Sequence, residues 1–514
     1  MTSSLKAATH ISAVTLGSRV LGLVRDVIMF RMLGFTWAVG TFALAWMIPN
    51  MLRRLFGEGA LAASFIPAYA KVKEREGADA ARVLLGSVSG LLLAVLACFS
   101  VVVVVGCLFV PAEWIGHGSE AVEAKTQGQL LLDLTIILFP YSIPICLAAI
   151  LTGALNAHGT FALPAAAPIV LNVFWIGGLV IAWATGMTEP VAVVKLIAWM
   201  LLIGGLGQLS LSLVPLARRG LLAKPTLPRR NDPARAVIRT MGPTLIGMSL
   251  LQLNSVLDQV LALYLVDANA PAFIYQANRL LLFPHALTSL ALATVIFPRM
   301  ASLGATDDRV GVRHTVDLAM HHTILVAMPA AVGMMLVAQP LLDVMLGGSL
   351  VTGQDIETAA VTTICLVASL PMIGIAQLHA RALYSVGDYR TPAWMAFWLL
   401  VLNAVLDIVF VVTLDLGVPG FAIATTIASA VNAATLRHRI RKLCPVSDGT
   451  PRSLWSTIVA CAVMAVVVVG VQELFNPTTR LGTVFLDLLL PVSAGMVSYV
   501  GIQYLFGERR LRMR

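Results

Sequence analysis

Arginines and carboxylates stand in the middle of apolar stretches in this chain, and the chemistry has to be sought there. The first two stretches carry Arg19, Arg25, Asp26, Arg31, Arg53, Arg54 and Glu58, and a later one carries Arg279 within Ala277-Asn278-Arg279-Leu280. An ionisable group in a membrane interior is costly, so it faces a polar path or a partner. Guanidinium suits phosphate because its planar fork donates two parallel hydrogen bonds. Arg19, Arg25, Arg53 and Arg279 facing one cavity would bind an anion of the size and charge of a diphosphate. The competing reading is snorkelling to the surface or local pairing with Asp26 and Glu58. Arg31, near a predicted helix end, fits snorkelling. Arg54 and Glu58 are four apart on one helix face and read as a gate or as a brace.

A second cluster is anionic. Asp258 lies in one apolar stretch, Asn403 and Asp407 lie one turn apart on another, and Thr425 and Thr426 open the next. These hard oxygen donors suit a small cation such as sodium. They read equally as a proton site or as inter-helix hydrogen bonding. Asp133 and Asp487 have no evident partner in the sequence.

The elements that must hold these groups are membrane helices. The chain of 514 residues is 58% hydrophobic and 12% charged, with mean hydropathy +0.88. Soluble domains carry about twice that share of charge. Long unbroken apolar runs, such as 91–110 and 457–471, exclude the alternating pattern of a barrel. The fold class is therefore an all-α polytopic membrane protein, with fourteen transmembrane helices at roughly 9–34, 36–70, 83–111, 130–155, 164–183, 194–217, 241–266, 272–298, 320–338, 358–384, 392–414, 419–436, 455–472 and 482–506. In the second span, the piece before Pro49-Asn50 reaches only ~20 Å, short of a ~30 Å hydrocarbon core. Its two pieces must form one kinked helix.

Charge orders the loops. Lys71, Lys73, Arg75 and Arg82, the run from Arg218 to Arg239, Arg437 to Lys442, and the tail Arg509, Arg510, Arg512 and Arg514 fall on one side. Glu113, Glu120, Glu123, Asp355 and Glu357 fall on the other, with Lys125 and Arg480 as its bases. Positive residues stay inside, so both termini are expected in the cytoplasm. The net charge of +9 reflects this topology, and no nucleic-acid partner is expected.

The proline-bearing basic segment 221–240 divides an N-lobe, 1–220, from a C-lobe, 241–440, with two further spans and a basic tail in 441–514. An internal repeat supports the division. Gly153-Ala-Leu-Asn-Ala-His-Gly-Thr-Phe-Ala-Leu-Pro164 matches Arg381-Ala-Leu-Tyr-Ser-Val-Gly-Asp-Tyr-Arg-Thr-Pro392 in its alanine, leucine, glycine and proline at one constant offset. Repeated halves are a transporter architecture. The sequence shows no Walker A pattern, CxxC, nucleophile–base motif or convincing signal peptide, so neither an enzyme nor an ATP-driven pump is indicated.

Ser18-Arg19-Val20-Leu21-Gly22-Leu23-Val24-Arg25-Asp26 and Pro49-Asn50-Met51-Leu52-Arg53-Arg54-Leu55-Phe56-Gly57-Glu58-Gly59-Ala60 resemble signatures of the MurJ/MviN family. Gly242-Pro243, Arg279 with Phe283-Pro284, and Tyr384-Ser385 to Thr391-Pro392 extend the resemblance along the chain. It implies two pseudo-symmetric six-helix lobes in a V plus two C-terminal helices, the fold of the multidrug/oligosaccharidyl-lipid/polysaccharide exporters. It also implies alternating-access transfer of lipid II, the undecaprenyl-diphosphate disaccharide-pentapeptide, to the outer leaflet for cell-wall synthesis. By position, Arg19, Arg25, Arg53 and Arg279 would contact the substrate, with Asp26 orienting them, and Arg54 and Glu58 would gate. Asp258, Asn403, Asp407 and Thr425 or Thr426 would hold sodium. No resident cofactor is implied, and Na+ or H+ would be the coupling ion. Membrane lipids and the cell-wall synthesis machinery are the implied partners. Two departures stand out: Gly40 and Asn278 occupy places where many members carry an acid. A related exporter of another polyprenyl-linked saccharide, or a drug/cation antiporter, is the alternative.

Overall fold

The structure, a computed structural model, describes residues 2–118, 121–160, 166–228, 234–286, 288, 291–348, 350–444, 454–474 and 483–506. Within those ranges the side chains of 2–13, 15, 16, 57–64 (Glu58 among them), 121, 236, 238–251, 291–295, 298, 483, 485 and Asp487 lie outside the description. The elements are helical throughout the described residues. By contacts the chain falls into two units, Met1–Ala272 and Phe273–Arg514. That division falls after the helix Ala234–Leu265, beyond the 221–240 segment where the sequence reading drew it.

The first unit comprises α1 (Thr2–Leu33), α2 (Trp37–Arg53), α3 (Ala60–Glu76), α4 (Ala78–Phe109), the short α5 (Ala112–Ile115), α6 (Ala121–Leu138), α7 (Ser142–Ala157), α8 (Ala167–Ala184), α9 (Pro190–Arg218) and α10 (Ala234–Leu265). The expected break in the second span is present. Pro49 withdraws a backbone donor, and Arg54–Gly59 winds as a π-helical turn between α2 and α3. The core is aromatic. Trp175 of α8 meets Phe42 and Trp46 of α2 edge-on, at 5.3 and 5.8 Å between ring centres, and Trp46 meets Tyr141 at 5.1 Å.

The second unit begins with α11 (Ala270–His285), whose first residues belong to the first unit. It continues through α12 (Ala291–Ala305), α13 (Arg309–Leu346), α14 (Gly353–Val367), α15 (Leu370–Ser385), α16 (Arg390–Ile408), α17 (Val418–Leu443), α18 (Trp455–Leu474) and α19 (Leu490–Leu505). The last two helices pack on each other and on α13. Ala460, Cys461, Met464, Val468 and Tyr499 bury against Val337, and the Tyr499 hydroxyl donates to the Leu325 carbonyl at 2.6 Å.

The repeat is visible in the backbone. Gly159 and Gly387 both take positive φ, +75° and +81°, just after α7 and α15. In the first copy Gly159 N–H donates to the Asn156 carbonyl and Thr160 N–H to the Leu155 carbonyl. In the second, Gly387 donates to Tyr384 and Asp388 to Leu383, the corresponding positions. Each turn is then held by an arginine from the end of its unit's later helix: Arg219 donates to the Thr160 hydroxyl at 2.8 Å, and Arg439 to the Asp388 carboxylate at 3.0 Å. The end of the first copy, 161–165, lies outside the described residues.

Nine helices among the described residues are long and apolar enough to cross a membrane by length and composition. They correspond to the third to sixth and ninth to thirteenth expected spans. Each of the other five expected spans includes residues outside the description. Lipid as solvent explains the exposed surface: Leu108, Val466, Met496 and Val497 are each about two-thirds or more exposed.

Candidate functional site

Arg25 and Asp26 are the most deeply buried charges among the described residues of the first unit. Arg25 is 4% exposed, and Asp26 beside it is 3% exposed. Arg25 Nε and Nη2 donate to Asp26 Oδ1 at 2.9 and 2.6 Å, and its Nη1 donates to Asn172 Oδ1 at 2.8 Å. Asn172 Nδ2 donates in turn to the Ser18 carbonyl at 3.0 Å, pinning α8 to the α1 backbone. The guanidinium also lies 4.0 Å over the Trp175 ring. Three of its five N–H donors are therefore used by protein, and one face rests on a π-surface. An arginine so fixed has lost its side-chain freedom before any ligand arrives, which lowers the cost of binding an anion to its remaining donors. Sequence reasoning found Arg25 and Asp26 but missed Asn172 and Trp175. The available signal was a lone amide in the apolar run Val170-Leu171-Asn172-Val173.

The other expected arginines are placed differently. Arg19, two turns earlier on α1, is exposed, so Arg19 and Asp26 do not share a buried environment. Arg31 is exposed at the end of α1, as snorkelling requires. Arg53 is half-buried, and its Nε donates to Asn50 Oδ1 at 3.1 Å. Its field reaches Tyr141 and Cys146 on the facing segment. Arg54 is half-buried and reaches Gln252 Oε1 of α10 with Nη1 at 3.5 Å, the outer limit of a hydrogen bond. The gating pair Arg54–Glu58 falls partly outside the described residues, since the Glu58 side chain is among those left out.

Gly40 sits where space is short. A Cβ there would lie 2.6 Å from the Ala268 carbonyl oxygen and 3.5 Å from Pro271. Asp267 organises that turn by accepting from the Asn269 and Ala270 backbone N–H groups at 2.8 and 2.7 Å. A carboxylate at position 40 has no room in this conformation and would face the oxygen of a carbonyl. Asp133, expected to lack a partner, has one: Lys195 Nζ of α9 lies 2.8 Å from its Oδ2, and Gln129 donates to Oδ1 at 3.0 Å.

In the second unit Arg279 Nη2 donates to the Tyr275 hydroxyl at 2.7 Å, with the guanidinium 4.8 Å over that ring. Asn278 spends its amide on the Ile274 carbonyl at 3.0 Å. Asn403 and Asp407 are almost wholly buried, and Asn403 Nδ2 donates to Asp407 Oδ2 at 3.1 Å. Thr425 is half-buried, and the Thr426 hydroxyl donates to the Cys365 carbonyl at 2.7 Å. Asp258, buried in α10, belongs to the first unit. Among the described residues no group of three or more His, Cys, Asp or Glu side chains forms a metal cluster.

Comparison with known proteins resolves what this arrangement belongs to. A family model described as lipid II flippase MurJ matches residues 29–490. The Ser18–Asp26 segment precedes that match, yet curated relatives align over nearly the whole chain. A probable lipid II flippase MurJ of Vibrio cholerae is 31% identical, covering 98% of this chain and 96% of its own. The lipid II flippase MurJ of Burkholderia cenocepacia is 28% identical, covering 99% of each. Among solved structures, lipid II flippase MurJ in an inward closed conformation superposes with a TM-score of 0.77 at 21% identity, covering 98% of this chain and 99% of that one. An inward-facing multidrug resistance MATE family transporter of the MOP superfamily reaches a TM-score of 0.68 at 15% identity, covering 84% of this chain and 98% of that one. With lipid-facing helices, a duplicated turn and whole-length relatives in agreement, the chain belongs to the lipid II flippase MurJ family.

Proposed function

We propose that this protein is a lipid II flippase of the bacterial inner membrane, carrying the diphosphate-linked precursor from the inner to the outer leaflet. The observation that carries the reading is family membership over essentially the whole chain. The Arg25 assembly supports it, because a guanidinium fixed by a carboxylate, an amide and an indole is prepared for a phosphate and is unsuited to a cationic drug. Arg19, Arg25, Arg53 and Arg279 are the residues proposed to contact the diphosphate during its passage. Arg25 acts as the fixed donor. Asp26 orients Arg25, and Arg54 with Glu58 gates. The protein makes and breaks no covalent bond in this reading. Both termini lie in the cytoplasm, and a reporter fused to the C-terminus should be active only there.

For coupling, Asn403 and Asp407 form the buried part of a sodium or proton site, with Thr425 or Thr426 as a further donor. A carboxylate and an amide in a dry helix pair fit a hard cation, and the Thr426 oxygen keeps a lone pair after donating to Cys365. The deciding experiment uses purified full-length protein in liposomes containing lipid II, reading headgroup accessibility from outside while sodium, pH and potential are varied in turn. Accessibility should rise with the wild type and stay at background with Arg279→Gln. No rise with well-incorporated wild type in any condition would sink the flippase reading. Unchanged sodium dependence in Asp407→Asn would remove the ion site and leave the flippase standing.

A further inference from the structure

A second basic centre lies in the second unit, on residues the reading above does not use. Arg313 and Asp317 are one turn apart on α13, and Arg313 Nε donates to Asp317 Oδ2 at 2.6 Å. Arg313 is only 5% exposed, and its Nη1 is buried without a hydrogen-bond partner among the described residues. His379 of α15 is fully buried; its Nδ1 lies 2.7 Å from the Ile375 carbonyl, which fixes that nitrogen as the donor, and its Nε2 has no partner among the described residues. Arg437 of α17 has its Nε buried and without a hydrogen-bond partner among the described residues as well. The fields of Arg437, Asp317 and Arg313 converge on the His379 ring, and Arg437 also feels Arg441 one turn further along. Around them Val312, Val316, Ile375, Ala376, Leu436 and Ile440 form a continuous apolar layer.

This is an unbalanced arrangement. Three guanidiniums meet one carboxylate, and Asp317 is already committed to the Nε of Arg313. A buried unsatisfied donor costs more than the hydrogen bond it would make, and more again when it is charged. Two such donors in one cluster of interacting charges call for an acceptor beyond the described protein groups. Asp317 and Arg437 are part-exposed, so the centre opens to one side, and Arg439, Arg441 and Lys442 stand exposed at that end of α17. By the topology proposed above, this is the cytoplasmic end. Basic pockets between membrane helices on that side recognise anionic headgroups.

We propose that a phosphate oxyanion, carried by an anionic lipid headgroup or free in solution, binds between α13, α15 and α17 and accepts hydrogen bonds from Arg313 Nη1 and Arg437 Nε. The site is independent of lipid II transport, and its test reads binding alone. Purified full-length protein is titrated in neutral-detergent micelles with dioleoyl phosphatidic acid, with dioleoyl phosphatidylcholine, and with inorganic phosphate. The readouts are bound lipid by native mass spectrometry and the shift in melting temperature. The wild type should retain phosphatidic acid over phosphatidylcholine and melt higher with it. Arg437→Gln should bind roughly tenfold more weakly, as loss of one charge-assisted hydrogen bond predicts, and Arg437→Lys should recover part of that. Arg439→Gln, an equally basic change on the same helix whose arginine pairs with Asp388 instead, should bind like the wild type. Competition by millimolar phosphate assigns the site to the bare oxyanion, and insensitivity to it assigns the site to the lipid headgroup. Equal retention of both lipids with no phosphate effect overturns the proposal. So does a folded Arg437→Gln that binds as the wild type does.

Discussion

Truncating Asn172 to alanine tests whether the Arg25 assembly is as tightly determined as its geometry states. The change removes the acceptor of Arg25 Nη1, at 2.8 Å, and the donor to the Ser18 carbonyl, at 3.0 Å. A hydrogen bond to a charged group is worth about 1.5–3 kcal/mol and a neutral one about 1 kcal/mol. With Arg25 only 4% exposed, bulk water is poorly placed to replace either. The expected loss is therefore roughly 3 kcal/mol of unfolding free energy, most of it from the orphaned guanidinium donor. Denaturant unfolding of the purified protein in micelles measures it. Asn172→Asp is the informative companion, because the carboxylate still accepts from Arg25 and only the Ser18 bond is lost; it should cost less than alanine. Arg25→Met with Asn172→Leu removes both partners, and the pair should cost less than the sum of the single changes. An alanine variant within about 0.5 kcal/mol of the parent, or single costs that simply add, would refute the claim that Asn172 holds Arg25 in place.

Three further outcomes follow from local geometry. Gly40→Ala places a Cβ 2.6 Å from the Ala268 carbonyl, so the 267–272 turn must move; a cost of about 1–3 kcal/mol is expected by the same unfolding measurement, and none if that approach is dispensable. Gly159→Ala and Gly387→Ala should each cost about 1 kcal/mol and agree closely, because both replace a positive-φ residue in the same turn; a large difference would break the equivalence of the two copies. Burial raises the Asp388 carboxyl, but hydrogen bonds from the Thr391 backbone and hydroxyl and from Arg439 outweigh it and hold the group below the ordinary aspartate range. A depressed folded value means that its stabilisation is present above the unfolded pKa of about 3.9 and disappears as pH falls through the folded value. Acid titration below about pH 4 should therefore weaken the wild type more than Asp388→Asn.

What the sequence could and could not disclose follows from how far each signal reaches along the chain. A span is contiguous, so hydropathy located the nine long apolar helices described, and the duplicated turn was legible because a positive-φ glycine is a local demand. Arg19, Arg25, Arg31, Arg53, Arg54 and Arg279 interrupt the first, second and eighth expected spans, and there charge breaks the plain apolar pattern. Partners distant in sequence were not legible. Nothing beside Arg25 announces Asn172, which is 147 residues away, and nothing beside Asp133 announces Lys195. Each of those residues reads as an isolated polar defect in its own helix, and only packing turns the two defects into one interaction. The absent acid at position 40 shows the same limit from the other side. Sequence comparison makes it a missing charge, whereas the structure makes it a missing Cβ, because Ala268 has come close enough that no side chain fits. A buried charge without a neighbour in sequence is thus best taken as a demand for a second, remote polar residue. In this fold Arg25 and Asp133 both have that demand met, and Arg313 and Arg437 hold donors that no protein group among the described residues accepts.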